Sequence, residues 1–452
     1  MVMKMLKYEE IIEYINHEIS AGNLAYTKKI PSIRTIANMF HCSVGTVIKA
    51  YDQLEKDHII YSSPKSGYYV LTNSHNAYSS KKMILDFSSG TPNAETFPYK
   101  NFQYCLKEST ELYKEALFSD PDPRGLSSLI NALTKHLQQY QIFTKPENIV
   151  ITASSQQALN ILASMPFPNK NKSVLIEQPT YPGIIKSLEL NNIQAFGIER
   201  GMDGINLDVL ESIFKQGNIK FFYTIPRFHN PTGTSYDKHE KQAIIKMAEK
   251  YNVYIIEDDV AADLDLDRKN DPIFSYDLSS KVIYLKSYSK ILMPGLRVAA
   301  LVLPPSLMDT FLYYKKLADV SSPILSQGAL EIYLNNGMFD VYKKEMAKSY
   351  SERLSILKDR FSELPSNKFK WKVPQSGYFA CIYTKNGLPC NKVANTLMRK
   401  HIELFDTSQC FLEKYKNYDF FKISISKTSK EEIASGIPTI LSTLQNIVGS
   451  IN

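Results

Sequence analysis

Short apolar runs alternate with helical patterns through the middle of the chain, and this alternation is the feature that most restricts the fold. The runs occupy residues 149–151, 174–176, 221–223, 253–256, 282–285 and 299–302. Continuous apolar runs joined by helices predict a mostly parallel sheet that is buried on both faces. Ligand sites in such sheets lie beyond the carboxyl ends of the strands, so functional residues are expected there.

A segment with cofactor-binding chemistry follows the fifth of these runs. It contains Ser287, Lys290 and Arg297, with Pro294 and Gly295 just before the arginine. A desolvated lysine amine can act as a nucleophile, and a guanidinium offers a planar fork to a phosphate. The segment resembles the cofactor-lysine segment of the fold-type I pyridoxal 5'-phosphate (PLP) enzymes. That resemblance implies that Lys290 forms a Schiff base with PLP, and that Arg297 and Ser287 hold its phosphate.

Further segments follow the other runs in the order seen in the aminotransferase family. They contain Ser155 and Gln156 at the start of a helix, then Tyr181, Asn230 in Asn-Pro-Thr-Gly, and Asp258. The resemblance implies that Ser155 and Gln156 bind the PLP phosphate, where the start of a helix favours an anion. It also implies that Tyr181 stacks on the pyridine ring and that Asn230 contacts the phenolic oxygen. Asp258 would keep the ring nitrogen protonated, which requires a buried carboxylate.

The chain departs from the family pattern around this cofactor set. Asp259 is a neighbouring carboxylate that competes with Asp258 for the ring nitrogen. Residues 260–262 are Val-Ala-Ala where the family usually has a tyrosine near the phenolic oxygen. Phe118 is the nearest aromatic residue to the place of a second tyrosine, which in the family precedes the glycine matched by Gly125 and reaches the partner's phosphate. Both tyrosine hydroxyls are therefore expected to be missing.

Lys422 takes the place of the arginine that clamps the substrate carboxylate in the aminotransferase family. A lysine supplies the charge without the planar fork, so amino acids are expected to be held more loosely or differently. Arg227 could compensate for the missing arginine. The alternative is that Lys422 is a simple exposed strand lysine.

Three helical patterns and a hairpin pattern occupy the first seventy residues. The first helix ends at Gly22, and Ser32 and Ser43 can cap the second and third helices. Residues 59–61 and 68–70 predict the two strands of a hairpin. Three helices followed by such a wing predict a winged helix-turn-helix.

This segment is similar throughout to the DNA-binding domain of the GntR regulators. In that family the second of the paired helices enters the major groove. The resemblance implies DNA contacts for Ser32, Arg34, Ser43, Thr46, Lys49, Lys65 and Gly67. Val44 stands where members often carry an arginine, so phosphate contact is expected more than base readout. The alternative is a three-helix module used only for dimer contacts.

Composition is compatible with a DNA-binding protein and shows no membrane or metal signal. The chain has 452 residues, too many for one core, with 44% hydrophobic and 22% charged residues. Its net charge of +7 permits nucleic-acid binding without requiring it. The five cysteines show no metal-ligand spacing, and their odd number fits a reducing compartment. Without a long apolar run or a signal-peptide core, a cytoplasmic protein is expected.

The predicted domains are a winged helix (1–72), a linker (73–86), a PLP-binding large domain (87–325) and a small domain (326–452). The linker is polar and is predicted to be flexible, with an ordered strap as the alternative. The expected fold is multidomain: an α+β winged helix-turn-helix followed by an α/β fold-type I PLP-dependent aminotransferase fold with a mostly parallel sheet.

This architecture resembles the MocR subfamily of bacterial regulators, and the resemblance covers nearly the whole chain. It implies a homodimer, usually head-to-tail, that binds double-stranded DNA and PLP. The effector would be PLP itself or a small amine or amino acid. One alternative is a working PLP-dependent aminotransferase that carries a winged helix. Another is a large domain that no longer binds PLP and only dimerises.

Overall fold

The chain forms two compact units in this computed structural model, Met1–Met83 and Ile84–Asn452. The structure describes residues 6–24, 29–57, 59–63, 66–71, 84–119, 122–267, 270–384, 388, 390–416 and 420–449. Most of the predicted linker, residues 73–83, lies outside the described residues. Its last two residues, Leu85 and Asp86, form a short strand of the second unit.

The first unit is the predicted winged helix-turn-helix. Its elements are α1 (Lys7–Ser20), α2 (Ile33–Met39), α3 (Val44–Lys56), β1 (Ile60–Ser63) and β2 (Gly67–Val70). Strands β1 and β2 pair antiparallel as the wing. The two predicted caps are confirmed, because the hydroxyl of Ser32 accepts from the backbone N–H of Thr35 at 3.2 Å and that of Ser43 from Thr46 at 3.1 Å.

A small apolar core holds the first unit together. The predicted stripe of α3 is confirmed, since Val47, Ala50, Tyr51 and Leu54 are completely buried. These side chains pack in one cluster with residues of α1 and of the wing. The hydroxyl of Tyr51 donates to the carbonyl of Pro31 at 2.7 Å, which ties α3 to the start of α2.

The second unit contains the remaining helices and strands. Its helices are α4 (Tyr99–Leu112), α5 (Ser127–His136), α6 (Ser155–Ser164), α7 (Pro182–Leu190), α8 (Leu207–Gln216), α9 (Lys238–Lys250), α10 (Pro305–Asp319), α11 (Ile324–Asn335), α12 (Met338–Phe361), α13 (Cys390–Met398) and α14 (Lys430–Gly449). Its strands are β3 (Leu85–Asp86), β4 (Ile149–Thr152), β5 (Ser173–Gln178), β6 (Ala195–Gly201), β7 (Gly204–Ile205), β8 (Ile219–Thr224), β9 (Tyr254–Asp258), β10 (Val282–Ser287), β11 (Ala299–Val302), β12 (Phe369–Lys372), β13 (Phe379–Thr384), β14 (Ile402–Glu403) and β15 (Phe420–Ser424).

The large sheet has the strand order β4-β11-β10-β9-β8-β5-β6-β7. Strands β10, β9, β8, β5 and β6 are parallel neighbours, whereas β11 is antiparallel to both of its neighbours and β7 is antiparallel to β6. Every residue of β4, β5, β8, β9, β10 and β11 is buried. The predicted mostly parallel sheet, built from the six apolar runs and buried on both faces, is confirmed.

A second, antiparallel sheet with the order β12-β13-β15 forms the core of the smaller part of this unit. Strand β13 is the central strand and pairs antiparallel with both β12 and β15. The amino-terminal end of the unit joins this part, because β3 pairs with β14 and the backbone N–H of Ser424 donates to the carbonyl of Phe87 at 2.9 Å.

Candidate functional site

A cavity of about 160 Å³ lies where β4, β5, β8, β9 and β10 reach their carboxyl ends. All eight residues that the sequence nominated for the cofactor line it. They are Ser155, Gln156, Tyr181, Asn230, Asp258, Ser287, Lys290 and Arg297. These residues come from segments that are far apart in the chain, and the parallel sheet brings them together because its strand ends share one edge.

Lys290 follows β10 and lines this cavity. Burial lowers the pKa of this amine, and the nearby Arg297 lowers it further, while the Asp258 carboxylate acts in the opposite direction. The hydroxyl of Tyr378 donates to the backbone carbonyl of Lys290 at 3.3 Å and helps to fix the segment. A lysine with a lowered pKa is more often uncharged, which is the form that attacks a carbonyl carbon.

Asp258, and not its neighbour Asp259, lines the cavity. One carboxylate oxygen, Oδ2, accepts a hydrogen bond from the hydroxyl of Tyr223 at 2.8 Å. The other oxygen, Oδ1, is buried and has no hydrogen-bond partner among the described residues. Burial raises the pKa of Asp258 to about 7. This carboxylate would therefore gain from a cationic partner inside the cavity.

Asp259 directly follows β9, and its carboxylate is bound to Arg227 and Tyr284. The guanidinium of Arg227 pairs with both carboxylate oxygens, and the hydroxyl of Tyr284 donates to Oδ2 at 2.7 Å. Arg227 also donates to the carbonyl of Asn270 at 2.7 Å. The structure corrects the expectation that Arg227 could bind a ligand carboxylate in place of the missing arginine, because its fork is already occupied by Asp259.

The start of α6 forms a second part of the cavity. Ser154 caps this helix by accepting from the backbone N–H of Gln157 at 3.1 Å. The hydroxyl of Ser155 is buried without a hydrogen-bond partner in the described part of the chain. The unsatisfied backbone N–H groups of a first helical turn and the guanidinium of Arg297 suit a phosphate.

Gln156, which is expected to bind the PLP phosphate, has its side chain engaged in hydrogen bonds within the chain. Its amide nitrogen donates to the carbonyl of Gly183 at 2.9 Å and to the hydroxyl of Ser187 at 2.8 Å. Its amide oxygen accepts from the hydroxyl of Tyr181 at 3.1 Å. The side chain therefore fixes Tyr181, and a phosphate would meet only the backbone of Gln156.

Three oxygen atoms in the cavity test whether PLP fits. The hydroxyl of Ser155, Oδ1 of Asn230 and Oδ1 of Asp258 are all buried without a partner among the described residues. Buried polar atoms are normally hydrogen-bonded, so three unpaired ones in a single cavity indicate a polar ligand. A phosphate at α6, a protonated ring nitrogen at Asp258 and an aldehyde at Lys290 would each meet a suitable group. The residues present fit PLP.

Lys422 lies on β15 and is only 5% exposed, so the alternative of a simple exposed strand lysine is wrong. Its ammonium lies 4.1 Å from the ring centre of Phe405 and 4.7 Å from that of Phe379. Burial lowers the pKa of Lys422 to about 8, and the positive charge of Lys290 contributes to this shift. Asp86 acts on it only at a distance, since that carboxylate forms its ion pair with Lys427.

Several residues of this cavity were not predicted from the sequence. Thr91, Ile225 and Ser289 line it, and Tyr223 holds Asp258 from outside it. Tyr223 belongs to an apolar run that is buried on both faces, so the sequence carried no signal for the direction of its hydroxyl. Val260 lines the cavity where the family usually has a tyrosine.

The nominated DNA-contact residues that the structure describes lie around α2, α3 and the wing. The side chains of Arg34 and Lys49 are exposed, and Thr46 is partly exposed. Ser32 and Ser43 cap α2 and α3, as described above. The lysine at position 65 lies outside the described residues.

Gly67 begins β2 with a φ of +115°. A side chain at this position would be strained, and its Cβ would lie 2.9 Å from Cε of Lys29. The tight geometry of the wing therefore depends on this glycine.

Each of the two units matches a known protein family. The model for aminotransferase class I and II matches residues 82–440, and the model for bacterial regulatory proteins of the gntR family matches residues 7–70. The chain is 40% identical over 447 residues to YcxD of Bacillus subtilis (strain 168), an uncharacterized HTH-type transcriptional regulator, covering 97% of this chain and 100% of that protein. It is 23% identical to the HTH-type transcriptional regulator NorG of Staphylococcus aureus (strain NCTC 8325 / PS 47), covering 93% and 100% of the two chains.

Solved aminotransferases share the fold of the second unit. A kynurenine aminotransferase from Pyrococcus horikoshii, solved in complex with PMP, superposes with a TM-score of 0.75 at 24% identity, covering 81% of this chain and 92% of that chain. LysN, an α-aminoadipate aminotransferase from Thermus thermophilus complexed with N-(5'-phosphopyridoxyl)-L-leucine, gives a TM-score of 0.74 at 24% identity, covering 81% and 94%.

The fold and the cavity define an aminotransferase-type domain joined to a winged helix-turn-helix. The chain belongs to the aminotransferase class I and II family and, with its gntR-type domain, to the MocR type of HTH transcriptional regulators. Among the described residues, no helix is long and apolar enough to cross a membrane.

Proposed function

We propose that this protein is a PLP-binding regulator that binds promoter DNA through its first unit. Its second unit would sense PLP, or an amine or amino acid that reacts with PLP. The observation that carries the proposal is the assembly of the eight nominated residues around one cavity, in a chain that also contains a helix-turn-helix. The three unpaired oxygens in that cavity support a polar cofactor.

The residues of the cavity divide the binding of PLP among them. Bound PLP would supply an aldehyde and an electron-withdrawing ring. Lys290 would hold the aldehyde carbon, and Asp258 would hold the proton on the ring nitrogen. Tyr223 orients Asp258 through its hydroxyl at 2.8 Å. Tyr181, fixed by Gln156, would cover the ring.

Different residues would hold the phosphate and the effector. Ser155, Ser287 and Arg297 line the cavity and would bind the phosphate. Lys422 would bind an acidic group of the effector as a single point charge between two aromatic rings. Because a lysine lacks the fork of an arginine and Arg227 is bound to Asp259, the effector carboxylate would be held in one direction only. This arrangement favours reversible sensing over rapid turnover.

The family resemblance implies a homodimer, which would carry two winged helices, one from each subunit. Ligand binding would then change the affinity for DNA if the two conformations of the dimer hold the ligand with different strengths. Light scattering with and without PLP measures the mass of the assembly and tests the dimer directly.

The first experiment measures binding to the DNA upstream of the gene, with and without PLP, by fluorescence anisotropy. We expect saturable, sequence-specific binding whose affinity changes with PLP, and no change with PLP for Lys290→Ala. Lys316→Ala, an exposed lysine on α10, is the matched control and should respond as the unaltered protein does. Specific binding whose affinity does not change with PLP would contradict sensing of PLP itself, and no specific binding would contradict DNA binding.

A second experiment separates regulation from catalysis. The purified protein with PLP is mixed with amino acids and 2-oxo acids, and new 2-oxo acid is measured over many equivalents. We expect at most one equivalent for each bound cofactor. Sustained turnover would favour the alternative, a PLP-dependent aminotransferase that carries a winged helix.

The DNA-contact assignments have their own test. Replacing Arg34 or Lys49 by alanine should weaken binding and reduce the slope of log affinity against log salt by about 1 for each lost phosphate contact. The visible absorbance of bound PLP should not change, because both residues lie in the first unit.

A further inference from the structure

A small apolar patch lies on the exposed side of α3. Its members, Val44 and Ile48, are 49% and 40% exposed. They are four residues apart in one helix and therefore lie next to each other, one turn apart. The core of the unit does not use them, since α3 turns a different stripe inward, formed by Val47, Ala50 and Leu54.

The polar side chains on the same half of α3 already have partners. The hydroxyls of Ser43 and Thr46 are 2.9 Å apart at the cap, and Ser43 also accepts from the backbone N–H of Thr46. The ammonium of Lys49 lies 4.0 Å from the ring centre of Tyr8. Position 45 is glycine and has no side chain to offer. Apart from Lys49, which is proposed to contact a DNA phosphate, the exposed side chains of this half of the helix without a hydrogen-bond partner are Val44 and Ile48, which are apolar.

This composition restricts what the helix can read in DNA. Bidentate recognition of guanine needs arginine or lysine, and that of adenine needs asparagine or glutamine. Residues 43–48 contain none of these. The 5-methyl group of thymine is the apolar feature that base pairs present in the major groove, and aliphatic side chains contact it. Helix-turn-helix proteins place the first residues of the second helix against the base edges.

We infer that Val44 and Ile48 read thymine methyl groups, so that the DNA site carries thymines at the positions that face this patch. The inference rests on the proposed DNA-binding function and adds the kind of base that is recognised. Exposed Arg34 on α2 belongs to the same unit and supplies positive charge that suits a polyanion, which favours DNA over an apolar protein partner as the occupant.

The test uses the full-length protein with PLP and a selection from random double-stranded DNA. In the enriched site, each thymine is replaced in turn by deoxyuridine, which removes the methyl group and keeps the base pairing. We expect about a fourfold loss of affinity for each methyl that Val44 or Ile48 contacts. Deoxyuridine in the flanking DNA should have no effect.

Variants of Val44 and Ile48 test whether these two side chains cause the loss of affinity for deoxyuridine DNA. Val44→Ala and Ile48→Ala should bind thymine DNA more weakly, while their affinity for deoxyuridine DNA stays close to that of the unaltered protein. The thymine-to-uridine ratio should therefore fall toward one. Leu6→Ala is the matched control, because Leu6 is an exposed apolar residue of the same unit at 56% exposure and its removal should leave the ratio unchanged.

The outcomes separate this inference from the proposed function. An enriched site that binds equally well with thymine and deoxyuridine overturns the inference and leaves DNA binding intact. A selection that enriches no sequence overturns both. Because deoxyuridine is tested on the unaltered protein, a variant that fails to fold does not affect the result.

Discussion

Glu177 and Asp258 are two buried carboxylates near the carboxyl ends of strands in the same sheet, and their surroundings differ. Glu177, on β5, forms an ion pair with Arg200, accepts from the hydroxyl of Thr224 at 2.7 Å, and has Nε2 of His229 at 3.0 Å. Asp258, at the end of β9, receives one hydroxyl from Tyr223, and its second oxygen has no partner among the described residues.

The acid–base properties of the two groups differ in the same way. Burial alone would raise the pKa of Glu177, but the charges of Arg200 and His229 and the hydrogen bonds from His229 and Tyr236 together outweigh it and hold that pKa well below its usual range. Burial raises the pKa of Asp258 to about 7, and the hydrogen bond from Tyr223 and the charge of Lys290 offset this only in part. A carboxylate satisfied within the chain is part of the scaffold, whereas one left incomplete beside a cavity marks a binding site.

The largest expected effect comes from breaking the complete carboxylate. Glu177→Gln leaves the buried guanidinium of Arg200 without a counter-charge, so the free energy of unfolding should fall by about 3–5 kcal/mol. Denaturant titration followed by the fluorescence of Trp371, the single tryptophan, reports on the second unit. Asp258→Asn is the matched variant, and it should cost little or stabilise the PLP-free protein. Equal losses of unfolding free energy in the two variants would contradict the different roles assigned to Glu177 and Asp258.

A smaller effect is expected in the pH dependence of stability. The pKa of Asp258 is about 7 in the folded protein and near 3.8 when the chain is unfolded. Between about pH 4 and 7 the folded state therefore binds the proton more strongly, so stability should fall as pH rises, by about 2–4 kcal/mol over the whole window. Glu177, whose pKa is lowered, contributes in the opposite sense and loses its contribution as pH falls through the acid range.

The unfolding free energies of the unaltered protein and of Asp258→Asn are measured across this pH window. Their difference isolates the contribution of Asp258, because the other titrating groups are the same in both proteins. Added PLP should abolish the fall, because a protonated ring nitrogen gives Asp258 its missing cation. A difference that does not vary with pH would contradict the raised pKa of Asp258.

The large sheet and the cofactor residues at its edge could be predicted from the sequence. The six apolar runs became six strands, and the nominated cofactor residues meet because parallel strands end at a shared edge. Residue type alone did not decide which of Asp258 and Asp259 faces the cofactor, because both have the same side chain. In the structure Asp259 is bound by Arg227 and Tyr284, which approach it from other segments, whereas Asp258 lines the cavity.

The partners of Glu177 and the exposure of Lys422 could not be read from the sequence. Arg200 lies on β6 and reaches Glu177 on the adjacent strand, a pairing fixed by sheet order. Lys422 is buried because Phe379 and Phe405 approach its ammonium after folding. Contacts between residues that are far apart in the chain leave no local sequence pattern. For the same reason the sequence did not show that Arg227 is paired with Asp259 and so is not free to bind a ligand carboxylate.

The smallest predicted effect tests the one hydrogen bond that Asp258 receives. Tyr223→Phe should lower stability by about 1 kcal/mol and should raise the pKa of Asp258 further, because a hydrogen bond to the charged form is lost. The pH window described above would then extend upward. Tyr284→Phe removes a hydroxyl that bonds to Asp259 at 2.7 Å, where Arg227 remains, so it should cost a similar amount without moving the window. A window that moves equally in both variants would mean that its position does not depend on the local partner of Asp258.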